Sequence, residues 1–248
     1  VPLSKDAMLA ISAAAQNYTD LEFDIENNRR GSRNSHIEPI LTQLSGSESA
    51  LVLNNNASAL MVSLSAISKG KEVIVSRGEA VEIGGGFRIP DIISNSGANI
   101  LEIGTTNRTY IEDYENAITD RTGAILKVHT SNFKVSGFVH EPSISELVNL
   151  ASDKGIPLVH DIGSGCMIDT TQFGLTTEPM VQTSVRENVD LVLFSGDKLL
   201  GGPQSGIIVG RKNLISTISQ HPTARAARID KLNLAGLKAT LIHYIQNE

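Results

Sequence analysis

Two side chains able to act together on a carbonyl compound stand at the ends of consecutive apolar runs. In FSGDKLLGGPQSG, residues 194–206, a run of apolar residues gives way to Ser-Gly-Asp-Lys and then to a glycine-rich turn. Lys198 is thereby placed at a strand end, where open α/β sheets form their ligand crevices. PLVHDIGSG delivers Asp161 to the same edge and follows it with small residues that let a planar ligand approach the backbone. A lysine that forms an imine and a carboxylate that keeps a pyridine nitrogen protonated suit pyridoxal phosphate. Taken singly, Lys198 also reads as a solvated loop lysine and Asp161 as a cap or turn residue. Their pairing favours the cofactor.

Such a cofactor needs its phosphate held at the far end of the ring. LNNNASALM, residues 53–61, follows the first apolar run and reads as a strand-to-helix turn, a place where free N–H groups and the helix dipole favour an anion. Asn56, Ala57 and Ser58 are the expected cradle, although an Asn-rich turn is also a good helix cap. Ser195 is a further candidate phosphate ligand. KVHTSNF, residues 127–133, ends another run. From it Asn132 is expected to bond the phenolic oxygen, and His129 either stacks on the ring or is a satisfied core histidine. Arg77, Glu79 and Glu82 in SRGEAVEIGGG are expected to line the site, with no role assigned. Basic residues cluster as Arg29, Arg30 and Arg33 and as Arg225, Arg228 and Lys231. Planar guanidinium groups suit bidentate phosphate recognition, and the second cluster also reads as a solvated basic helix start.

The elements that must position these groups are legible as apolar runs at 50–53, 72–75, 99–103, 124–128, 157–160, 190–194 and 206–210. Stretches with helical spacing lie between most of them, such as 57–67, 110–118 and 143–152. Strand–helix alternation implies a mainly parallel sheet covered on both faces, an α/β/α sandwich. The connection Gly-Pro-Gln-Ser before the last strand is too short for a crossover helix, so that strand is expected to run antiparallel to its neighbour. Helices over about 4–18 and 231–245 flank the sheet region and are expected to pack on it or on a partner subunit. No internal domain boundary is expected within residues 1–248.

Composition bounds the remaining possibilities. With 40% apolar and 19% charged residues the chain is expected to fold as an ordinary globular protein. Cys166 is the only cysteine, so one chain can form neither a disulfide nor a multi-cysteine metal site. A net charge of −6 argues against a surface built throughout for nucleic acid, while leaving room for a local patch. Neither a run of about eighteen apolar residues nor a signal peptide is seen, so no membrane partner is expected and the cytoplasm is the expected compartment. The first residue is not Met and leads directly into a helix-like segment, so the chain is expected to be part of a longer protein.

RGSRNSHIEP, LVLNNNAS, GKEVIVSRGEAVEIGGGFRIPDI, GTTNRT, KVHTSNF, FSGDKLLGGPQSGIIVG and HPTARAARIDKL follow one another along nearly the whole chain. This series resembles bacterial selenocysteine synthase, the L-seryl-tRNA(Sec) selenium transferase family. The resemblance implies the large domain of a fold-type I pyridoxal-phosphate enzyme, with a seven-stranded sheet containing one antiparallel strand. It implies Lys198 as the cofactor lysine, Asp161 as the pyridine-nitrogen partner, Asp197 as an acidic catalytic residue, and Arg225 and Arg228 near the anionic selenium donor. The implied reaction converts seryl-tRNA(Sec) to selenocysteinyl-tRNA(Sec) with selenophosphate, by β-elimination of water and addition of selenium. Lys198 would serve as the base. The family carries an N-terminal tRNA-binding domain and a further C-terminal domain, so this chain is expected to be the catalytic core truncated at both ends and to form at least a homodimer. Two other readings stay open: a pyridoxal-phosphate lyase or transferase acting on free amino acids, and a catalytically silent core.

Overall fold

The computed structural model describes residues 1–25, 27–83 and 86–246. Gly84 and Gly85 of the SRGEAVEIGGG block lie outside the described residues. The central sheet consists of β1 (Ser49–Leu53), β2 (Glu72–Ser76), β3 (Asn99–Ile103), β4 (Thr122–Val128), β5 (Leu158–Gly163), β6 (Leu191–Ser195) and β7 (Gly206–Gly210). Its order is β1-β7-β6-β5-β4-β2-β3, with β7 antiparallel to both β1 and β6 and the other pairings parallel. β1, β4, β6 and β7 are buried at every position, as expected of strands covered on both faces.

Alternation along each strand sorts side chains into two cores. One face packs Val52, Ile125, Val192 and Phe194 against α2 (Glu38–Ser45), α6 (Ile144–Lys154), α7 (Val181–Arg186) and α10 (Lys231–Gln246), through residues such as Leu41, Leu147, Val181 and Leu237. The other packs Leu51, Val75, Leu126 and Leu193 against α3 (Asn56–Ile67), α4 (Ile89–Asn95) and α8 (Lys212–Gln220), through Leu60, Ile92 and Ile218. Each such fully buried aliphatic side chain contributes roughly 1.5–3 kcal/mol by leaving water. α1 (Lys5–Gln16) packs on α10; a Cβ added at Gly236 would lie 2.8 Å from Ile11, so a glycine there permits the close approach. α5 (Ile111–Ala117) covers the β3 edge, and α9 (Pro222–Ala226) follows α8 directly. Among the described residues no helix is long and apolar enough to cross a membrane, and no group of His, Cys, Asp or Glu is arranged to hold a metal ion.

Candidate active site

Because β1, β2, β4, β5 and β6 run in the same direction, the loops after them meet along one edge of the sheet. Asp161, near the end of β5, is 4% exposed and lies on the α3 side. Its Oδ1 accepts from Asn56 Nδ2 at 2.9 Å and from the Gly163 N–H at 3.0 Å. Burial pushes the carboxyl up to about 6, outweighing those two hydrogen bonds and the attraction of the Lys198 ammonium. This is an anion built into a place that lacks a full positive counterpart.

Lys198 sits in the turn after β6 and is exposed. The turn is braced by its backbone: Leu199 N–H donates to Ser164 O at 2.9 Å, Gly201 N–H to Lys198 O at 3.1 Å, and Gly202 N–H to Gly196 O at 2.8 Å. Gly163 stands between the acid and the lysine with φ +66°, and a Cβ added there would lie 3.6 Å from Lys198 Nζ. Only glycine combines that backbone with open space beside the amine.

Asn56, Asp161 and Lys198 form a shared wall between two cavities. One, of about 560 Å³, is also lined by Val81, His129, Asn132, Gly163, Ser164 and Glu178. The other, of about 390 Å³, is lined by Asn55, Ala57, Ser195, Asp197 and Gln204 among others. Volumes of this size suit a small cofactor. Asn56 Oδ1, Ser164 Oγ and Glu178 Oε2 are buried without a hydrogen-bond partner, so polar groups are left to receive a ligand.

The structure brings together Lys198, Asp161, Asp197, Asn56, Ala57, Ser195, Asn132 and His129 around these two spaces. Several are engaged differently from the sequence expectation. Asn56 spends its amide on Asp161, while the Ser58 N–H is taken by the side chain of Asn55, the N-cap of α3, at 2.8 Å. His129 donates its backbone N–H to Asp161 O at 2.8 Å, and its Nε2 lies 3.6 Å from Glu178 Oε2. Asn132 Nδ2 donates to Glu82 O at 3.1 Å. Glu82 itself pairs with Arg88 at 3.0 Å.

Three arginines lie elsewhere. Arg77 donates to Gly104 O at 3.0 Å and lies 3.6 Å from Glu102, and it lines neither cavity. Arg225 and Arg228 line a separate cavity of about 750 Å³ with Arg30, Arg33 and Lys212. Asn54 N–H donates to Ala227 O at 2.7 Å, which stitches the arginine segment to the loop leading into α3. Glu22, unforeseen from sequence, contacts Arg33 at 2.7 Å, Arg30 at 3.2 Å and Arg228 at 3.5 Å. The bonds from Arg33 and Arg30 hold its carboxyl down to about 2. Also unforeseen is a cluster in which buried Lys127 Nζ meets buried Glu79 Oε1 and exposed Glu141 Oε2, each at 2.7 Å. The two carboxylates hold the lysine charged, against the desolvation of its buried position. Burial pushes the Glu79 carboxyl above its ordinary range, opposed by the Lys127 ammonium and the Val128 N–H, whose short contacts favour the ionised form.

A family model described as SelA, L-seryl-tRNA selenium transferase, matches residues 1–248. The chain is 53% identical over 246 residues to an L-seryl-tRNA(Sec) selenium transferase of Clostridium perfringens (strain 13 / Type A), covering 99% of this chain and 53% of the relative. To the protein of that name from Geobacter metallireducens it is 54% identical over 243 residues, 98% of this chain and 53% of the relative. The chain thus spans about half the length of the curated relatives it matches. Among solved structures, a D-glucosaminate-6-phosphate ammonia-lyase superposes with a TM-score of 0.79 at 24% identity, covering 100% of this chain and 64% of the other. A Thermus thermophilus aspartate aminotransferase double mutant gives 0.71 at 18%, covering 99% and 63%. At such identities the likeness is one of fold.

Proposed function

The chain belongs to the L-seryl-tRNA selenium transferase family, and on that premise we propose that it is the catalytic core, over residues 1–248, that converts seryl-tRNA(Sec) to selenocysteinyl-tRNA(Sec). The observation that carries the reading is the placement of buried Asp161 beside Lys198, with glycine between them and a cavity on either side. The residues present fit pyridoxal phosphate. Lys198 would hold it through Nζ, Asp161 would face the ring nitrogen, and Ala57 and Ser195, on the wall of the smaller cavity, are the candidates for its phosphate. His129 and Asn132 would border the ring from the other cavity. When bound, this cofactor supplies an electron sink for negative charge at the substrate's α-carbon.

The remaining work falls to side chains. Lys198 Nζ, when free as an amine, would be the base that takes the α-proton of the seryl ester and later returns it. Asp197, on the wall of the smaller cavity, orients Lys198 or assists that proton transfer. Arg225 and Arg228 bind the phosphate-bearing selenium donor, selenophosphate, as charge-assisted forks, and Arg77 remains a candidate for substrate contact outside the two cavities. Among the described residues the arginine cavity shares no lining residue with either space beside Lys198, and we infer that a homodimer or higher assembly joins the arginines of one copy to the lysine of another. A tRNA substrate places the reaction in the cytoplasm.

The test is a selenium-transfer assay with seryl-tRNA(Sec) and selenophosphate, run beside free serine. Transfer to the aminoacyl-tRNA alone, lost in Lys198→Ala, is expected. Turnover of free serine at a matching rate would contradict the reading and point to a lyase acting on free amino acids.

A further inference from the structure

We propose that Glu79 is a positioning residue for the cofactor site: its carboxylate completes strand β4 where β2 has turned away, fixing the backbone from which His129 and Asp161 face the cavity. The proposal rests on the reading of that cavity as the pyridoxal phosphate site.

β2 pairs with β4 as far as Val75 opposite Leu126, and the chain then leaves the sheet in the turn Arg77–Glu79. β4 continues through Lys127 and Val128, still paired on its other side to β5, with Val128 opposite Asp161. Successive N–H groups of a strand point to opposite neighbours. The Val128 N–H therefore faces the space that β2 has left, and a buried N–H without an acceptor is costly. Glu79 Oε2 accepts it at 2.8 Å, in the place of a strand carbonyl. The next N–H, that of His129, points the other way and donates to Asp161 O at 2.8 Å. A single backbone step thus links Glu79 to the segment that carries the acid of the site.

The other oxygen of Glu79 receives Lys127, which also reaches Glu141 at the far end of the 129–141 loop. Glu79 is 5% and Lys127 7% exposed. A carboxylate so buried needs a counter-charge, and Lys127 supplies it, which separates this lysine in function from Lys198. The Val81 N–H donates to Glu79 O at 2.8 Å, and Val81 lines the same cavity as His129 and Asp161. Walls of the site therefore converge on one residue, the end of β4 through the carboxylate of Glu79 and Val81 through its backbone carbonyl.

The test separates the acceptor from the charge. Glu79→Gln with Lys127→Met removes both charges but keeps an acceptor for Val128, whereas Glu79→Leu with Lys127→Met removes the acceptor as well. Replacing a buried ion pair by apolar groups of similar size is often neutral for stability, and cooperative melting verifies folding. If the Leu/Met pair does not melt cooperatively, Glu79→Ser with Lys127→Met, too short to reach Val128, takes its place. The first readout is amide hydrogen exchange at Val128 and His129 by NMR, without cofactor; it is expected to be about tenfold faster in the variant lacking the acceptor. The second is affinity for pyridoxal phosphate from imine absorbance, expected to be about tenfold weaker in that variant and near wild type in the Gln/Met pair. Equal exchange in the two variants overturns the proposal, and so does equal cofactor affinity. Should the wild type form no imine, the function reading fails, and exchange still decides: the tenfold difference supports the positioning role and equality overturns it.

Discussion

Asp161 carries two conflicting demands. A pyridine-nitrogen partner must be an anion in a dry place, and a dry place resists an anion. In the cofactor-free chain its pKa of about 6 lies above the ordinary 3.8, so between those values the folded state keeps a proton that the unfolded state has released. The stability this group contributes is complete below pH 3.8 and is lost as pH rises through 6. Beyond that point the buried charge costs on the order of 3 kcal/mol. Asp161→Asn, uncharged and of the same shape, is therefore expected to melt above the wild type at pH 8 and level with it near pH 4. Thermal unfolding across that range, without cofactor, is the measurement, and a pH-independent difference would contradict the assignment. The substitution is also expected to lose selenium transfer, since stability and activity pull apart where a site stores an unfavourable charge. The placement of Lys198 and Asp161 at one sheet edge was legible in the sequence because each follows an apolar run, Asp161 with small residues after it and Lys198 in a segment that leads into a glycine-rich turn. The engagement of Asn56 with Asp161 was not, because it depends on the start of α3 meeting the end of β5 across residues 105 positions apart in the chain. The pairing of Glu79 with Lys127, 48 positions apart, was hidden for the same reason.

Among the elements, β7 has the most consequence for the site. Its antiparallel direction follows from the short turn after Lys198, and its insertion between β1 and β6 brings Gly206 against the loop before α3. A Cβ at Gly206 would overlap the carbonyl of Asn55 and lie 2.8 Å from Asn56 N. Gly206→Ala is thus expected to cost about 1–3 kcal/mol and to weaken cofactor uptake, by displacing Asn56 from Asp161. Chemical denaturation and a cofactor titration measure the two effects, and a fully stable variant would show that the loop yields. Asn55 caps α3 with a reciprocal bond to Ser58; Asn55→Ala is expected to lower stability by about 1 kcal/mol, read from the same denaturation curves. The seven strands and the flanking helices were recoverable from periodicity because both cores are regular. The loops of the site were not, since their side chains answer to neighbours from other strands.

At the scale of the whole molecule the two sets of candidate groups remain apart. Lys198 and Asp161 occupy one pair of cavities, and Arg225 and Arg228 another, with Glu22 among the arginines. If copies of the chain exchange these halves, mixing inactive Lys198→Ala with inactive Arg228→Ala in a full-length context should restore about a quarter of wild-type activity for random pairing of two copies. No recovery, with mixed dimers verified, would place both sets in one chain. Every such claim depends on the cofactor being held where Asp161 and Lys198 meet. The most direct measurement is the visible absorption spectrum of the purified chain with added pyridoxal phosphate, beside Lys198→Ala. A protonated-imine band in the wild type and none in the variant is the predicted result; an equal band in both would assign the attachment to another lysine and contradict the account.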